Sequence, residues 1–500
     1  MENDYALGID GGQIGAGAGL PQGGLVSYAD WNTFSKAVQT SSYDVDHANL
    51  SGVAALRPES LENVMRAVVG SQESLTLLRD LKRTATQSSV DEWMVQTSLG
   101  GQLDGFFNSE TGDINSDVGE YEREVLFMKY MMTQAQISHV ASTNKLRSIQ
   151  LRSLENNNAM TRLSIGLNRA LYHGDSRLSP LQFDGIRATL EKDELSAGNV
   201  VNLGGTSDIN AVVEQLFSYK ATVQEQGNFG DITDIYTDTY VQNDLDMSLF
   251  PKFRVAMTEN PNNLTLGAPV SQVRTSLGNI TMKQDIWIDN NFNSKPAFAK
   301  NAKLPDDYPD TPGIVVTKRA AANGEKGFTA GQAGTYWVSV APRDAKGIEG
   351  IPSQPVSIAV AAGDVIVVAV TPNPNGKAYA FAEYRSTQDP TKAVTFHDLR
   401  LVKKVAAKKS ENRTTAFSFV DDNSELPGAS TLHLLNKKPT SIQWKQLLPA
   451  TQFPLAATNS AVYKWAVLLY GALQLGIKRH HFVLTNYIPQ NAVWKPHKVG

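Results

Sequence analysis

Four oxygen-bearing side chains near the first third of the chain have the spacing of a calcium-binding loop. Positions 1, 3, 5 and 12 of such a loop are occupied by Asp113, Asn115, Asp117 and Glu124, which is where an EF-hand places ligands. Position 6 of an EF-hand is glycine because the chain turns sharply there, but Val118 occupies it here. The flanking segments predict strands rather than helices. We interpret the segment as a solvated acidic loop, with adventitious Ca²⁺ binding as the alternative.

The remaining patterns that could carry chemistry are weak. The chain has no cysteine, which excludes disulfides, thiolate metal sites and cysteine nucleophiles. It has no HExxH or GxSxG motif. His480 and His481 are adjacent, so in a strand they would point to opposite faces and could not easily bind one metal ion together. The glycine-rich run at residues 11–24 misses the spacing of nucleotide-binding loops and predicts a flexible arm. The basic run at 403–413 predicts a solvated hairpin face, with polyanion contact as the alternative. We predict no enzyme activity, cofactor or metal.

Length and charge bound the class of protein. With 500 residues and 41% hydrophobic residues, the chain can form several globular domains. The formal net charge of -4 gives no sign of the concentrated basic face typical of nucleic-acid binders. The N-terminus lacks a secretory signal pattern, and the most apolar run, residues 465–477, is too short to span a bilayer. We expect a soluble protein that does not engage a membrane.

Two alternating segments predict strands that a long loop connects. SSVDEWMVQTS and YEREVLFMKYMMTQAQISHV alternate in polarity, and the loop between them, residues 98–120, carries five acids and no lysine or arginine. A two-stranded ribbon is marginal alone in water, so it needs a surface to lie on.

The pattern then predicts a long helix from Asn144 to His173, with a narrow apolar stripe and Gly174 as its stop. Residues 205–295 predict a mixed α/β region. Short strands at regular spacing after residue 300 predict an all-β sandwich. Near the C-terminus, NSAVYKWAVLLYGALQL predicts a capped helix, followed by a last strand.

This order of parts resembles the major capsid proteins of tailed double-stranded DNA bacteriophages, which have the HK97 fold, and among them the large myovirus group. ALRPESLENVMRAV and SSVDEWMVQTS look like an N-terminal arm entering the extended E-loop. LRSIQLRSLENNNAMTRLSIGLNRALYHGDS looks like the spine helix of the P domain, and the segment that begins WKQLLPATQFPLAATNSAVYKW looks like the C-terminal return. GTYWVSVAPRDAKGIEGIPSQPVSIAV resembles an immunoglobulin- or fibronectin-III-like insertion.

The resemblance implies an α+β, HK97-like capsid fold with an inserted all-β Ig-like sandwich. The divisions it implies are an N-terminal arm and first helix at 1–85, an E-loop ribbon at 86–142, a P domain with the spine helix at 143–204, an A domain at 205–299, the inserted domain at 300–435 and a C-terminal return completing the A and P domains at 436–500.

The function implied is that of a structural subunit. Such a chain self-assembles into pentamers and hexamers of an icosahedral shell that encloses phage DNA without sequence-specific binding. Its place is the virion, after assembly in the host cytoplasm, and the implied partners are itself and cement or decoration, scaffold, portal and maturation-protease proteins. The alternatives are an encapsulin-type bacterial shell protein and a phage or cell-surface adhesion protein that uses the Ig-like domain.

The resemblance also assigns the long loop to the surface of a neighbouring subunit. Its acids would pair with arginines of the neighbour's spine helix, and its two aromatics would anchor the tip, because aromatics are favoured interface anchors. The alternative is a mobile tip with solvent-facing aromatics. The predicted interface residues are Asp104, Phe106, Phe107, Glu110, Asp113, Asp117, Arg147, Arg152 and Arg162. Some family members form a Lys–Asn isopeptide bond with an E-loop lysine; residues 100–122 contain no lysine, so we expect noncovalent assembly.

Overall fold

The computed structural model describes residues 75–101, 107, 109–112, 118–139, 151–225, 228–249, 271–288, 294–300, 308–375, 377–407, 413–456 and 461–497. The predicted N-terminal arm up to residue 74 and the first part of the predicted spine helix, residues 144–150, lie outside them. So do five of the predicted interface residues, namely Asp104, Phe106, Asp113, Asp117 and Arg147.

The described residues form five α-helices and nineteen strands. The α-helices are α1 (Thr76–Asp80), α2 (Leu151–His173), α3 (Ile186–Lys192), α4 (Ile209–Gln224) and α5 (Thr239–Leu249). The first strands are β1 (Arg83–Ala85), β2 (Val90–Ser98), β3 (Glu120–Phe127), β4 (Lys129–Ser138), β5 (Val200–Asn202), β6 (Asp234–Thr237), β7 (Gln272–Thr275) and β8 (Gly278–Gln284). Then follow β9 (Gly313–Ala320), β10 (Gly334–Arg343), β11 (Val356–Val360), β12 (Asp364–Thr371), β13 (Ala380–Arg385), β14 (Arg400–Ala406), β15 (Phe417–Asp421), β16 (Ser430–Leu435), β17 (Ile442–Leu455), β18 (Val462–Leu475) and β19 (Phe482–Tyr487).

The predicted two-stranded ribbon is present, but it is shorter than the alternating pattern. β2 and β3 pair antiparallel, with Val90 opposite Phe127 and Gln96 opposite Tyr121. The ribbon ends at Met128, which is buried and donates its backbone N–H to Ser89 at 2.9 Å. The chain then continues as β4, which pairs with β18 in a different sheet. The alternating pattern that the sequence shows after residue 120 therefore spans two strands, β3 and β4, which belong to separate sheets.

A four-stranded sheet in the order β1-β17-β18-β4 packs one face against helix α2. Ala135 and Ile137 of β4 and Trp465 and Val467 of β18 form a core with Ala159 of α2. The helix predicted for NSAVYKWAVLLYGALQL is wrong, because residues 462–475 form the inner strand of this sheet. Pairing on both edges satisfies its backbone, and burial makes the run nearly continuously apolar, a pattern that periodicity alone cannot distinguish from a buried helix.

The long helix ends where the sequence predicts. α2 stops at His173, and Gly174 donates its N–H to Ala170 at 2.9 Å. A side chain at Gly174 would come within 2.5 Å of the Phe183 carbonyl oxygen. The glycine therefore permits the chain to fold back closely and place α3 beside the helix end.

A six-stranded sheet in the order β5-β19-β16-β6-β8-β7 forms the second part of the body. Helices α4 and α5 contribute Val212, Leu216, Val241 and Leu245 to its core. Asp208 caps α4 by accepting a hydrogen bond from the N–H of Asn210 at 2.9 Å, a common N-cap arrangement.

Two further sheets lie between Gly313 and Asp421, in the orders β11-β10-β13-β14 and β15-β12-β9. Val338, Val340 and Phe381 of one sheet share a core with Ile366 and Val368 of the other. The region is therefore a two-sheet β structure, although its immunoglobulin-like character is not confirmed. The predicted insert, 300–435, extends past these sheets, because β16 pairs with β6 and β19 in the body. The domain boundaries drawn from the sequence stay predictions.

The predicted α+β class is confirmed, and the described parts follow the order of the predicted HK97-like capsid fold: ribbon, long helix, mixed sheet, inserted β region and C-terminal return. Among the helices that the structure describes, none is long and apolar enough to cross a membrane.

Candidate assembly interface

One face of the ribbon is attached to the body. On this face Asp91 forms an ion pair with Lys445 at 3.1 Å, and Glu124 forms one with Lys478 at 2.5 Å. Leu126 packs against the main hydrophobic core. Side chains alternate between the faces of a strand, so these contacts fix which residues of the ribbon point away from the body.

The opposite face of the ribbon, which we call the outer face, is largely exposed and carries five apolar and three polar side chains. It comprises Val90, Glu92, Met94, Gln96, Tyr121, Arg123, Val125 and Phe127, which the antiparallel register places on one side. Met94 is 78% exposed and Tyr121 65% exposed, and Val125 and Phe127 are exposed as well. An ion pair between Arg123 and Glu92 crosses the strands on this face. Large exposed apolar patches mark interaction surfaces.

The loop at the end of the ribbon carries the acids and aromatics of the predicted interface, of which the structure describes Phe107 and Glu110. Phe107 is 94% exposed, and Glu110 is exposed at a turn in which Gly112 donates its N–H to Ser109 at 3.0 Å. Gly100 has a φ of +77° and lies against the Val118 carbonyl, where a Cβ would approach to 2.3 Å. The glycine therefore lets the two sides of the loop converge at its base.

Two of the three arginines that the prediction assigns to the spine helix lie on α2, while Arg147 lies outside the described residues. Arg152 and Arg162 are both exposed on this helix. Their pairing with the loop acids of a neighbouring subunit stays a prediction.

A second exposed apolar surface was missed by the sequence interpretation. β4 and β18 turn Tyr130, Met132, Leu468 and Tyr470 to the face of the four-stranded sheet that is opposite α2. Met132 is 61% exposed, and the rings of Tyr130 and Tyr470 meet edge to face with centroids 4.9 Å apart. The alternation of apolar and polar residues along β4 could have predicted this exposed face only if the pairing of β4 with β18 had been known.

The described residues include only part of the motifs that could carry chemistry. Within the described ranges no group of three His, Cys, Asp or Glu residues is placed to hold a metal ion. Glu124 of the calcium-like pattern is engaged with Lys478, while Asp113, Asn115 and Asp117 lie outside the described residues. His480 lies in a 3-10 turn with its Nε2 2.8 Å from the Asn228 carbonyl oxygen.

Comparison with curated proteins shows which class of protein this chain is related to. The chain is 25% identical over 452 residues to the major capsid protein of Staphylococcus phage K, an alignment that covers 88% of this chain and 91% of that protein. It is 25% identical over 455 residues to the major capsid protein of Staphylococcus phage S25-3, with the same coverages. The chain is a relative of phage major capsid proteins. The predicted resemblance is thereby confirmed.

Two other comparisons add no argument. No protein-family model matches the chain. Among solved structures, the capsid of a native GTA particle is 8% identical with a TM-score of 0.42, covering 90% of this chain and 100% of that one. The holo-SrpI encapsulin complex from Synechococcus elongatus PCC 7942 is 8% identical with a TM-score of 0.39, covering 90% and 99%. The relationship therefore rests on the curated phage proteins.

Proposed function

We propose that this chain is the repeating structural subunit of an icosahedral phage capsid, which it builds as pentamers and hexamers around double-stranded DNA. The observation that carries the proposal is the similarity to phage major capsid proteins over 88% of the chain. Its place is the virion, after assembly in the host cytoplasm. Cement, scaffold, portal and protease proteins are its further expected partners.

The ribbon supplies a physical reason for self-assembly. It is held at its base by Asp91, Glu124 and Leu126, while the outer face leaves Met94 and Tyr121 in water. Burial of apolar surface contributes about 25 cal/mol for each Å² removed from water. A second copy of the chain that covers this face would stabilise both the ribbon and the assembly.

The subunit acts as a structural protein and not as an enzyme in this proposal. Its net charge of -4 suits a shell that encloses DNA without sequence-specific contacts, because sequence-independent binding to phosphates would need a concentrated basic surface.

Electron microscopy of the purified protein tests the proposal. We expect negative-stain images to contain shells, tubes or capsomers. The triple variant Met94→Asp, Tyr121→Asp and Val125→Asp should remain folded, because all three side chains are exposed, but should not form these particles.

Val315→Asp is the matched control, since Val315 is also exposed on a strand but lies on β9. Wild-type protein that stays as small monodisperse particles would contradict the proposal. Normal assembly of the triple variant would exclude the outer face of the ribbon as an interface.

A further inference from the structure

The chain after β19 leaves the six-stranded sheet and crosses to the β region. Residues 488–497 form no helix or strand. Their first part is attached to the body. Ile488 donates its N–H to the Thr206 carbonyl oxygen at 3.0 Å, and Gln490 donates its N–H to the Asp244 carboxylate at 2.8 Å. The start of the segment is therefore fixed on the body.

The last part of the segment is attached to the β region. The indole N–H of Trp494 donates to the Asp398 carbonyl oxygen at 3.0 Å, and the indole ring lies 5.0 Å from the guanidinium carbon of Arg400. Pro496 is buried, and its carbonyl oxygen accepts a hydrogen bond from the N–H of Gln388 at 3.1 Å. The segment therefore holds the loop of residues 386–399, which we call the β13–β14 loop, and the first residue of β14.

Trp494 also contacts the segment that leads into β16 of the body. Gly428 lies under the indole ring, and a Cβ at Gly428 would come within 2.8 Å of two ring carbons. The glycine therefore permits close approach of the indole to the backbone. Trp494 is thus the residue at which the C-terminal segment, the β13–β14 loop and the segment before β16 meet.

The β13–β14 loop covers one face of the β region. Leu399 of this loop is buried in a small core with Ala341, Ala382 and Tyr384, and Phe396 packs against the same core. The larger core between the two sheets of the β region is formed by other residues. Release of the C-terminal segment would therefore loosen the loop while the larger core stays closed.

The C-terminal segment itself has a large share of its surface in water. Asn491 is exposed, and Val493 is 91% exposed. Segments with few buried apolar contacts and no strand ladder open at a lower free energy than core strands. The segment can therefore separate from the β13–β14 loop before the sheets unfold.

We propose that residues 488–497 form a strap that closes the junction between the body and the β region, holds the β13–β14 loop in place, and opens while both parts stay folded. Trp494 is its main anchor, because it makes the hydrogen bond to Asp398, the ring contact with Arg400 and the packing on Gly428. The strap acts within one chain and does not depend on assembly.

Hydrogen–deuterium exchange of the full-length chain tests the strap. Trp494→Ala should raise the exchange rate of amides in the β13–β14 loop, including that of Gln388, by about tenfold, because it removes a hydrogen bond and a cation–π contact that oppose opening. Exchange in β10, β13, β16 and β19 should stay unchanged. Val493→Ala is the matched control, since the side chain of Val493 is adjacent but exposed, and it should exchange as the wild type does.

A second variant covers the case in which Trp494→Ala does not fold. Trp494→Phe keeps a ring against Arg400 and Gly428 but lacks the indole donor, so exchange in the loop should rise by less than in Trp494→Ala. Unchanged exchange of the loop in the folded variant would overturn the proposal. A rise that extends equally to β10, β13, β16 and β19 would also overturn it, because the segment would then open only when the strands unfold.

Discussion

At the scale of single residues, the β region buries a carboxyl group that makes no hydrogen bond within the described part of the chain. Glu383 of β13 is fully buried, and neither side-chain oxygen has a partner. Burial, and then the charge of Asp421, raise the pKa of Glu383 well above its usual value. Folding therefore retains a proton that the unfolded chain releases, and the stability of the folded state falls as the pH rises above about 4.3, the usual pKa of glutamate.

We expect Glu383→Met to stabilise the protein, and to do so more at pH 8 than at pH 5. Removal of an unsatisfied buried carboxyl should contribute about 1–3 kcal/mol to the free energy of unfolding. Urea unfolding at both pH values measures the effect, with Glu194→Met, at an exposed position, as the control. A loss of stability at pH 8 would contradict the assignment.

Buried histidines in the body give the opposite dependence on pH. His433 is fully buried with both ring nitrogens unpartnered, and its ring lies 4.8 Å from that of Tyr172. Burial lowers the pKa of His433 to about 3 and that of His481 to about 4. As the pH falls below about 6.5, the unfolded chain takes up protons that the folded chain does not, so stability is lost.

We expect each such histidine to lower the free energy of unfolding by about 1.4 kcal/mol per pH unit between pH 6 and pH 5. His433→Leu should reduce this loss of unfolding free energy between pH 6 and pH 5 by about the contribution of one histidine. Urea unfolding at the two pH values measures the effect. His139→Leu is the control because His139 is exposed. An unchanged slope in His433→Leu would show that His433 is accessible to protons in the folded state.

At the scale of secondary-structure elements, the described residues Phe107 and Glu110 of the loop between β2 and β3 are exposed. We expect the combined reversal of Asp104, Glu110, Asp113 and Asp117 to lysine to leave the Tm of the subunit nearly unchanged. It should block stable assembly, because the lysines would oppose the arginines predicted on the neighbour's spine helix, and like charges at an interface cost several kcal/mol. Calorimetry of the subunit and electron microscopy of the product measure the two effects. Normal shells would refute the docking of this loop.

Some secondary-structure elements could be predicted from the sequence, and others could not. Alternation predicts β2 and β3, and Gly174 predicts the end of α2, because both signals are local. The strand β18 could not be distinguished from a helix, since its pairing with β17 and β4 depends on residues far away in the chain. The interface pairing of Glu110 with Arg152 or Arg162 depends on a second chain, so the sequence supplies only the residue types.

At the scale of the whole molecule, the position of β16 allows the C-terminal boundary of the inserted region to be tested. Deletion of residues 312–422, replaced by a flexible Gly/Ser linker, should leave a folded body, because β9 to β15 share their own core. Deletion of residues 310–434, nearly the whole insert predicted from the sequence, should not fold, because it removes most of β16 from between β6 and β19. Circular dichroism and solubility of the two variants measure the difference. Equal behaviour would show that the six-stranded sheet tolerates loss of this strand.

The assembled particle should be held without covalent links between subunits. An isopeptide bond at the loop needs a lysine amine as nucleophile, and residues 100–122 contain none. The first lysine after the loop, Lys129, begins β4 and donates its amine to the Pro180 carbonyl oxygen at 2.8 Å within its own chain. Mature particles boiled in detergent should therefore release a single band near the chain mass of 54.4 kDa, or slightly below it after N-terminal trimming. A ladder of covalent multimers that survives boiling, and that disappears in Lys129→Arg, would identify Lys129 as the nucleophile and refute noncovalent assembly.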